Sequence, residues 1–145
     1  MKIYVVVYSV SSVQRLLDFV KTAYAFNNVT PVIIKPIGAA AQIGVPEANK
    51  IAYRREKPLL ILPELSDLKE LLEIDSIYFI TSKGILKDFK QLIKTGHRIA
   101  LVIHGGEADF TKQELQYGKG VWVNGLSREA PPYTALVIIL YEYIR

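Results

Sequence analysis

The sequence contains no cysteine and only two histidines, His97 and His104. Without cysteine there is neither a disulfide framework nor a thiolate metal site, and two imidazoles are too few for a structural zinc. We therefore expect an intracellular, cytoplasmic protein that holds no metal.

Long hydrophobic runs are absent as well. The longest uninterrupted helix-like apolar run, residues 135–141, has seven residues, whereas a membrane-spanning helix needs about 20. No cleavage site of small residues follows the first eight residues, so these predict a strand rather than a signal peptide. We expect a soluble protein with no membrane partner.

Several catalytic motifs are missing. The sequence has no Gly-x-Gly-x-x-Gly after the first strand, no phosphate-binding Gly-x-x-x-x-Gly-Lys-Ser/Thr loop and no Gly-x-Ser-x-Gly elbow. Their absence argues against dinucleotide, nucleoside-triphosphate and serine-hydrolase chemistry. No glutamate is followed two residues later by lysine, so a metal-dependent nuclease that pairs an aspartate with Glu-x-Lys is also poorly supported.

The 145 residues, 50% of them hydrophobic, predict a single domain spanning residues 1–145. Short β-branched runs alternate with helix-like stretches, which is typical of an α/β fold with a mostly parallel sheet flanked by helices. Six strands are predicted, at residues 2–8, 31–35, 58–62, 76–81, 98–104 and 120–124.

Helical periodicity predicts the connecting helices. The first covers residues 13–24 and is capped by Ser11 or Ser12. The others are predicted at residues 46–55, 64–73 and 84–94, and an apolar closing helix at residues 131–145.

Positive charge is concentrated near the N-terminus. Residues 1–57 hold eight lysines and arginines against three carboxylates, while the remainder carries a net charge of −1. A surface that faces a polyanion such as RNA would show this asymmetry, and so would a solvated charged face.

The last two predicted strands, at residues 98–104 and 120–124, each lead into a glycine-bearing loop, at residues 104–107 and 124–126. Ligands of α/β proteins bind at the carboxyl ends of strands, so the two loops suggest one pocket. A tight structural turn, with His104 packed inside it, is the alternative.

The closing helix is apolar nearly all round and follows Pro131-Pro132, which fixes its first turn. Such a helix must be buried on several sides. The sheet and a second subunit could bury it together, which predicts a homodimer; deep burial in a monomer is the alternative.

Four segments together resemble a known family: Lys21-Thr-Ala-Tyr-Ala-Phe26, Ala100-Leu-Val-Ile-His-Gly-Gly-Glu107, Trp122-Val-Asn-Gly-Leu126 and Ala135-Leu-Val-Ile-Ile-Leu-Tyr-Glu142. They are similar to motifs of the SPOUT (α/β-knot) methyltransferases, and within them of the SpoU-like group that methylates ribose in RNA. The resemblance covers both ends of the chain, and the middle agrees only in its alternation of strands and helices.

The resemblance implies a SPOUT-like fold with a C-terminal trefoil knot, an exception to the general absence of knots. It implies S-adenosylmethionine as the cofactor and a homodimer that packs through the first and last helices. The implied cofactor-binding residues are Ile103, His104, Gly105, Gly106, Glu107, Val123, Asn124, Gly125, Leu126 and Ala130.

The sequence departs from the SpoU-like pattern at three positions. Ser12 stands where the group has an asparagine, Lys21 where it has an arginine, and Pro131 where it has a second asparagine. Lysine keeps the positive charge but not the planar fork of arginine.

The leading hypothesis is an S-adenosylmethionine-dependent RNA methyltransferase, with rRNA or tRNA as its partner. Its candidate catalytic residues are Lys21, Glu107, Arg128 and Tyr133, and its candidate RNA-binding residues are Arg15, Arg54 and Arg55. A knotted RNA-binding or regulatory protein without transfer activity is the second hypothesis, motivated by the departures, and an unrelated flavodoxin-like domain is the third.

Overall fold

A computed structural model describes residues 2–88 and 98–144 of the chain, except for the side chain of Ile144. Six strands make up one sheet: β1 (Lys2–Tyr8), β2 (Val29–Ile34), β3 (Leu60–Leu62), β4 (Ser76–Lys87), β5 (Arg98–His104) and β6 (Lys119–Val123). The described helices are α1 (Val13–Tyr24), α2 (Val45–Arg55), α3 (Asp67–Glu70), α4 (Lys112–Leu115) and α5 (Pro132–Ile144), and a π-helical turn (Ala40–Gly44) precedes α2.

The strand order is β3-β2-β1-β5-β4-β6, and each neighbouring pair is parallel. Tyr8, the last residue of β1, is in register with Ile34 of β2 and His104 of β5. The carboxyl ends of these three strands therefore meet at one edge, and the predicted mostly parallel six-stranded α/β sheet is confirmed.

Both faces of the sheet are buried, which explains the nearly continuous apolar runs. Ile3, Val5 and Val7 of β1 point to a core formed with α1 and α5. The alternate residues, Tyr4, Val6 and Tyr8, point to a second core under residues 65–74 and Phe110. The period of two along β1 thus divides its side chains between two layers.

Local sequence signals explain where α1 and α2 begin. Of the two candidate caps, Ser12 is the one used, because its hydroxyl accepts a hydrogen bond from the Arg15 N–H at 3.2 Å. Pro46 stands in the first turn of α2, where its missing N–H costs nothing. At the other end, Glu56 closes α2 in the left-handed conformation with φ 54°.

The prediction of a helix over residues 84–94 is wrong in the part that the structure describes. Residues 84–87 belong to β4, where Ile85 and Leu86 are in register with Val121 and Trp122 of β6; residues 89–94 lie outside the described residues. A Cβ at Gly84 would come within 2.4–2.6 Å of backbone atoms of Val121. This close strand contact overrides the helical periodicity of the side chains.

Smaller differences concern element ends. The predicted helix over residues 64–73 is reduced to the single turn of α3, and the strand predicted to end at Thr81 continues to Lys87. The remaining predicted strands agree with the structure within about two residues, as expected of boundaries. No helix within residues 2–88 and 98–144 is long and apolar enough to cross a membrane.

Candidate functional site

A cavity of about 780 Å³ opens at the carboxyl ends of β1 and β5. Its walls come from the polar side of α1, the turn that follows β5 and the first residues of α5. The residues that line it are Val7, Arg15, Asp18, Phe19, Lys21, Thr22, Ala25, Ile103, His104, Gly105, Gly106, Glu107, Pro131, Pro132 and Tyr133.

The turn after β5 is held by two backbone donors. The Gly105 N–H donates to the carbonyl oxygen of Tyr8 at 2.7 Å, and the Gly106 N–H donates to Nδ1 of His104 at 3.0 Å. A Cβ on Gly105 would lie 2.6 Å from the Cβ of Val10. Glycine is therefore required at position 105 so that the turn can approach the loop after β1.

His104 lines the cavity in its neutral form. Burial lowers its pKa, although the negative charges of Glu114 and Asp109 act in the opposite direction. Because Nδ1 accepts the Gly106 N–H, the proton of the neutral ring is on Nε2. The rings of Tyr8 and Phe110 pack edge-on against the imidazole, with centroids 5.7 and 5.2 Å away.

Glu114 provides the negative charge nearest to this ring cluster. Burial raises its pKa, but hydrogen bonds from Tyr8 and Thr111 outweigh burial and hold the pKa below the usual value. The hydrogen bond between Tyr8 and Glu114 also affects the phenol: burial and this bond together raise the pKa of Tyr8. Tyr8 thus stays protonated and Glu114 ionised around neutral pH.

The α1 wall carries the charged side chains of the cavity. Arg15 lies 3.8 Å from Glu107, but both side chains are largely exposed (62% and 95%), so the pair contributes little to stability. Within the described residues, the Lys21 ammonium makes neither a hydrogen bond nor an ion pair. An exposed positive charge therefore lines the cavity.

Tyr133 joins the two ends of the chain across the cavity. Its hydroxyl forms a hydrogen bond with the hydroxyl of Thr22 and donates to the carbonyl oxygen of Asp18 at 3.3 Å. These bonds fix the first turn of α5 against the middle of α1. The phenol is therefore held in one position beside Lys21.

The second predicted loop does not line the cavity. Val123, Asn124, Gly125, Leu126, Arg128 and Ala130 lie outside its walls. Several backbone groups of this loop have partners within the protein. The Leu126 carbonyl oxygen accepts from Trp122 Nε1 at 3.1 Å, and the N–H groups of Asn124, Leu126 and Ala130 donate to the carbonyl oxygens of Lys87, Val123 and Ser127 at 3.3, 3.3 and 3.1 Å.

Arg128 contacts β4. Its guanidinium donates to the carbonyl oxygens of Ser82 at 2.5 Å and Gly84 at 2.9 Å. These bonds satisfy carbonyl groups where β4 departs from regular pairing with β6.

The predicted RNA-binding arginines are separated. Arg15 lines the cavity, whereas Arg54 and Arg55 stand at the end of α2. The structure therefore gives the cavity one of the three predicted phosphate contacts and leaves the other two on a separate surface.

Sequence reasoning missed some of the cavity lining. No site role was predicted for Asp18, Phe19 or Thr22, although Asp18 and Thr22 are one turn apart on the same side of α1. The spacing of Arg15, Asp18 and Thr22 could have identified this wall. Among the residues that the structure describes, no group of three or more His, Cys, Asp or Glu side chains is placed to hold a metal ion.

Comparison with known proteins places the chain by sequence. A family model described as RecB-family nuclease (DUF2122) matches residues 38–142. A protein of Aeropyrum pernix, named as a candidate type II restriction enzyme, is 32% identical over 146 residues, which cover 97% of this chain and 91% of that protein. The chain belongs to the DUF2122 family. The restriction-enzyme name belongs to that relative and does not by itself give the activity of this member of the DUF2122 family.

Solved structures with the same fold carry different names. The SpoU methyltransferase AviRb from Streptomyces viridochromogenes, crystallised with AdoMet, matches with a TM-score of 0.73 and 14% identity over 99% of this chain. The chain spans 60% of that protein's length. A structure concerned with 2-OH methylation of C/U34 on tRNA matches at 0.69 and 14% identity, over 97% of this chain and 93% of the other. At these identities the likeness shows a shared fold.

Proposed function

We propose that this protein binds S-adenosylmethionine at the turn after β5 and transfers its methyl group to RNA. One observation carries the proposal: the cavity joins residues 103–107 to Lys21 and Tyr133, which are distant in sequence. Residues 103–107 and Lys21 belong to segments that resemble SpoU-like enzymes, whereas Tyr133 stands in a segment that departs from their pattern; a protein with this fold was crystallised with AdoMet.

The cavity fits such a cofactor in size and chemistry. Its volume of about 780 Å³ falls within the roughly 300–1,000 Å³ of small-molecule pockets. Two adjacent glycines at positions 105 and 106 leave backbone groups unshielded by side chains. When bound, the cofactor would supply a sulfonium methyl group.

The surrounding side chains suggest roles in positioning RNA. The Lys21 ammonium would attract a phosphate and lower the pKa of a nearby hydroxyl, since a positive charge favours the ionised form. Tyr133 acts as a positioning residue that keeps the α1 and α5 walls together. Glu107, exposed at the rim, would accept a hydrogen bond or a proton from the incoming nucleotide.

The loop at residues 123–126 remains part of the proposal as a second cofactor contact, with Ala130. Those backbone groups have internal partners, so contact there would use the remaining lone pairs and donors. The trefoil knot stays a prediction of the resemblance.

Calorimetric titration with S-adenosylmethionine tests the cofactor. We expect saturable heat for the wild type and for the control Lys112→Ala, which removes one exposed lysine outside the cavity. Gly106→Val should weaken binding at least about tenfold, because its side chain would meet the His104 ring and enter the cavity. The absence of heat at millimolar cofactor would overturn the proposal.

Transfer is tested separately, with labelled cofactor and bulk RNA. Incorporation that falls at least tenfold or so in Lys21→Ala supports the enzyme. Binding without incorporation would instead support the knotted RNA-binding or regulatory protein of the second hypothesis.

Nuclease activity is the second candidate function, because the family model and the Aeropyrum pernix relative carry nuclease names. Two-metal cleavage needs carboxylates gathered around metal ions, and the described residues offer no such cluster. Incubation of duplex DNA with Mg²⁺ or Mn²⁺ decides between the two. Cleavage, combined with no cofactor binding, would replace the methyltransferase proposal.

A further inference from the structure

A second surface, which we call the α2-end patch, consists of Lys50, Tyr53, Arg54, Arg55 and Lys57. It lies at the end of α2 and in the turn that follows. Four of its residues are cationic, and Glu56 is the one carboxylate among residues 50–57. Lys50 is paired with Glu47 of the preceding turn at 3.1 Å. None of the patch residues lines the cavity beside the turn after β5.

Tyr53 is the unusual member of this patch. Its side chain is 86% exposed, more than that of any other large hydrophobic residue in the described part of the chain. Single exposed hydrophobic residues are common, but this ring stands among cations rather than alone. With Ala52, Arg54, Glu56 and Lys57 it lines a shallow hollow of about 550 Å³.

The cations of the patch are partly fixed by Tyr24 of α1. The Lys57 ammonium donates to the Tyr24 carbonyl oxygen at 3.0 Å and lies 5.6 Å from the centre of its ring. The Arg55 guanidinium lies 6.0 Å from the same ring. Tyr24 is itself held by a hydrogen bond from its hydroxyl to the carbonyl oxygen of Pro58 at 2.8 Å.

The support for the patch comes from α1. Tyr24 at the end of this helix contacts Arg55 and Lys57, and Lys21, one turn earlier, lines the cavity.

We propose that the α2-end patch binds a single-stranded segment of RNA. An unpaired base stacks on Tyr53, while Arg54, Arg55 and Lys57 contact the phosphates on either side. Stacking selects single strands, because the bases of a duplex do not expose their faces. The choice of RNA as the polymer rests on the proposed function, whereas the stacking and phosphate contacts rest on the patch itself.

Fluorescence anisotropy with a labelled oligouridine of about 12 nucleotides tests the patch. We expect Tyr53→Ala to weaken binding about tenfold, and Tyr53→Phe, which keeps the ring, to bind nearly as the wild type does. Tyr117→Ala removes another exposed tyrosine, 48% exposed and outside the patch, and should leave binding unchanged.

A salt titration separates stacking from charge. The double substitution Arg54→Ala and Arg55→Ala should reduce the slope of log affinity against log salt by about 1.4, since each phosphate contact on a single strand contributes about 0.7. Tyr53→Ala should leave that slope unchanged, because the ring carries no charge.

Three results would overturn the inference: no binding of the oligouridine by the wild type, equal losses for Tyr53→Ala and Tyr117→Ala, or tighter binding of duplex DNA than of single strands. Tighter binding of oligodeoxythymidine than of oligouridine would reject RNA as the polymer. Calorimetry with S-adenosylmethionine on Tyr53→Ala keeps the two proposals apart, because this variant should bind the cofactor as the wild type does.

Discussion

His104 contacts both sides of the sheet edge. It lines the cavity, and its ring also packs against Tyr8 and Phe110 in the core on the other face. Burial favours the neutral ring, and the bond from the Gly106 N–H to Nδ1 requires that nitrogen to be unprotonated. Protonation would therefore disturb the turn that shapes the cavity.

We predict that His104→Asn makes stability less dependent on pH between about 7.5 and 5.5. The folded pKa of His104 lies below its ordinary value of 6.5, so the unfolded chain takes up this proton first as the pH falls. The contribution of His104 to stability is thus complete above pH 6.5 and decreases below it. Asparagine can accept the Gly106 N–H but does not titrate.

Urea unfolding of both proteins across this pH range measures the effect. His97 is present in both, so its titration cancels in the comparison. Parallel stability curves for the wild type and His104→Asn would contradict the prediction.

At the scale of elements, β4 determines how the second half of the sheet is built. It pairs with β6 in two stretches separated by the irregular residues 81–84. Gly84 lies against the backbone of Val121, and Arg128 donates to the carbonyl groups of Ser82 and Gly84. The irregular stretch of β4 is therefore stabilised in two ways. Gly84 has no side chain that would clash with Val121, and the Arg128 guanidinium binds two of its carbonyl groups.

We predict that Gly84→Ala lowers the free energy of unfolding by about 3 kcal/mol or prevents folding, because the new methyl group has no space beside Val121. Gly125→Ala is the matched control. Position 125 has φ +92° with open space around it, so only backbone strain of about 1 kcal/mol is expected. Urea denaturation measures both, and equal losses would show that crowding at position 84 is relieved.

We predict that Arg128→Ala lowers the free energy of unfolding by about 1–2 kcal/mol, since two carbonyl groups lose a charged donor. Arg128→Lys should recover only part of this loss, because an ammonium lacks the planar fork. Cofactor affinity should change by less than twofold or so if the role is structural. A large loss of affinity with unchanged stability would restore Arg128 as a site residue.

The elements also show what the sequence can and cannot predict. Strands β1 and β5 were predicted to the residue, because the buried interior of each is an uninterrupted apolar run that includes several β-branched residues. The prediction of a helix over residues 84–94 failed because it rested on apolar spacing alone. The contact between Gly84 and Val121 arises only in the tertiary structure.

The same division holds for the candidate site. The resemblance pointed to Lys21 and residues 103–107, the methyltransferase hypothesis added Tyr133, and the structure brings them together. Thr22 and Asp18 were missed as partners of Tyr133, because a hydrogen bond across 111 positions leaves no periodic signal. Arg128 was a candidate catalytic residue of the same hypothesis, and its contacts with β4 could not be predicted from spacing.

For the whole molecule, the closing helix raises the question of assembly. Ala135, Leu136, Ile139 and Leu140 of α5 are buried in the core, while Tyr141 on the same helix is 59% exposed. The homodimer expected from the apolar closing helix stays a prediction, and the exposed aromatic ring of Tyr141 offers a position at which to test it.

We predict that the protein sediments at twice the mass of its 16.3 kDa chain. Tyr141→Lys should shift the equilibrium toward the monomer, because a charge would have to be buried at the interface. Tyr117→Lys places the same charge on another exposed tyrosine and should leave the dimer intact. Analytical ultracentrifugation measures all three, and a monomeric wild type would contradict the prediction.

The strand order also has a consequence for the protein while it is being synthesised. The first three strands lie in residues 2–62 and pair with one another. Only β1 also pairs with a later strand, β5. In contrast, β4 leaves the ribosome before either of its neighbours, β5 or β6, exists. The backbone N–H and C=O groups along both of its edges therefore stay unpaired until first β5 and then β6 follow, and unpaired strand edges of this kind promote association with other chains.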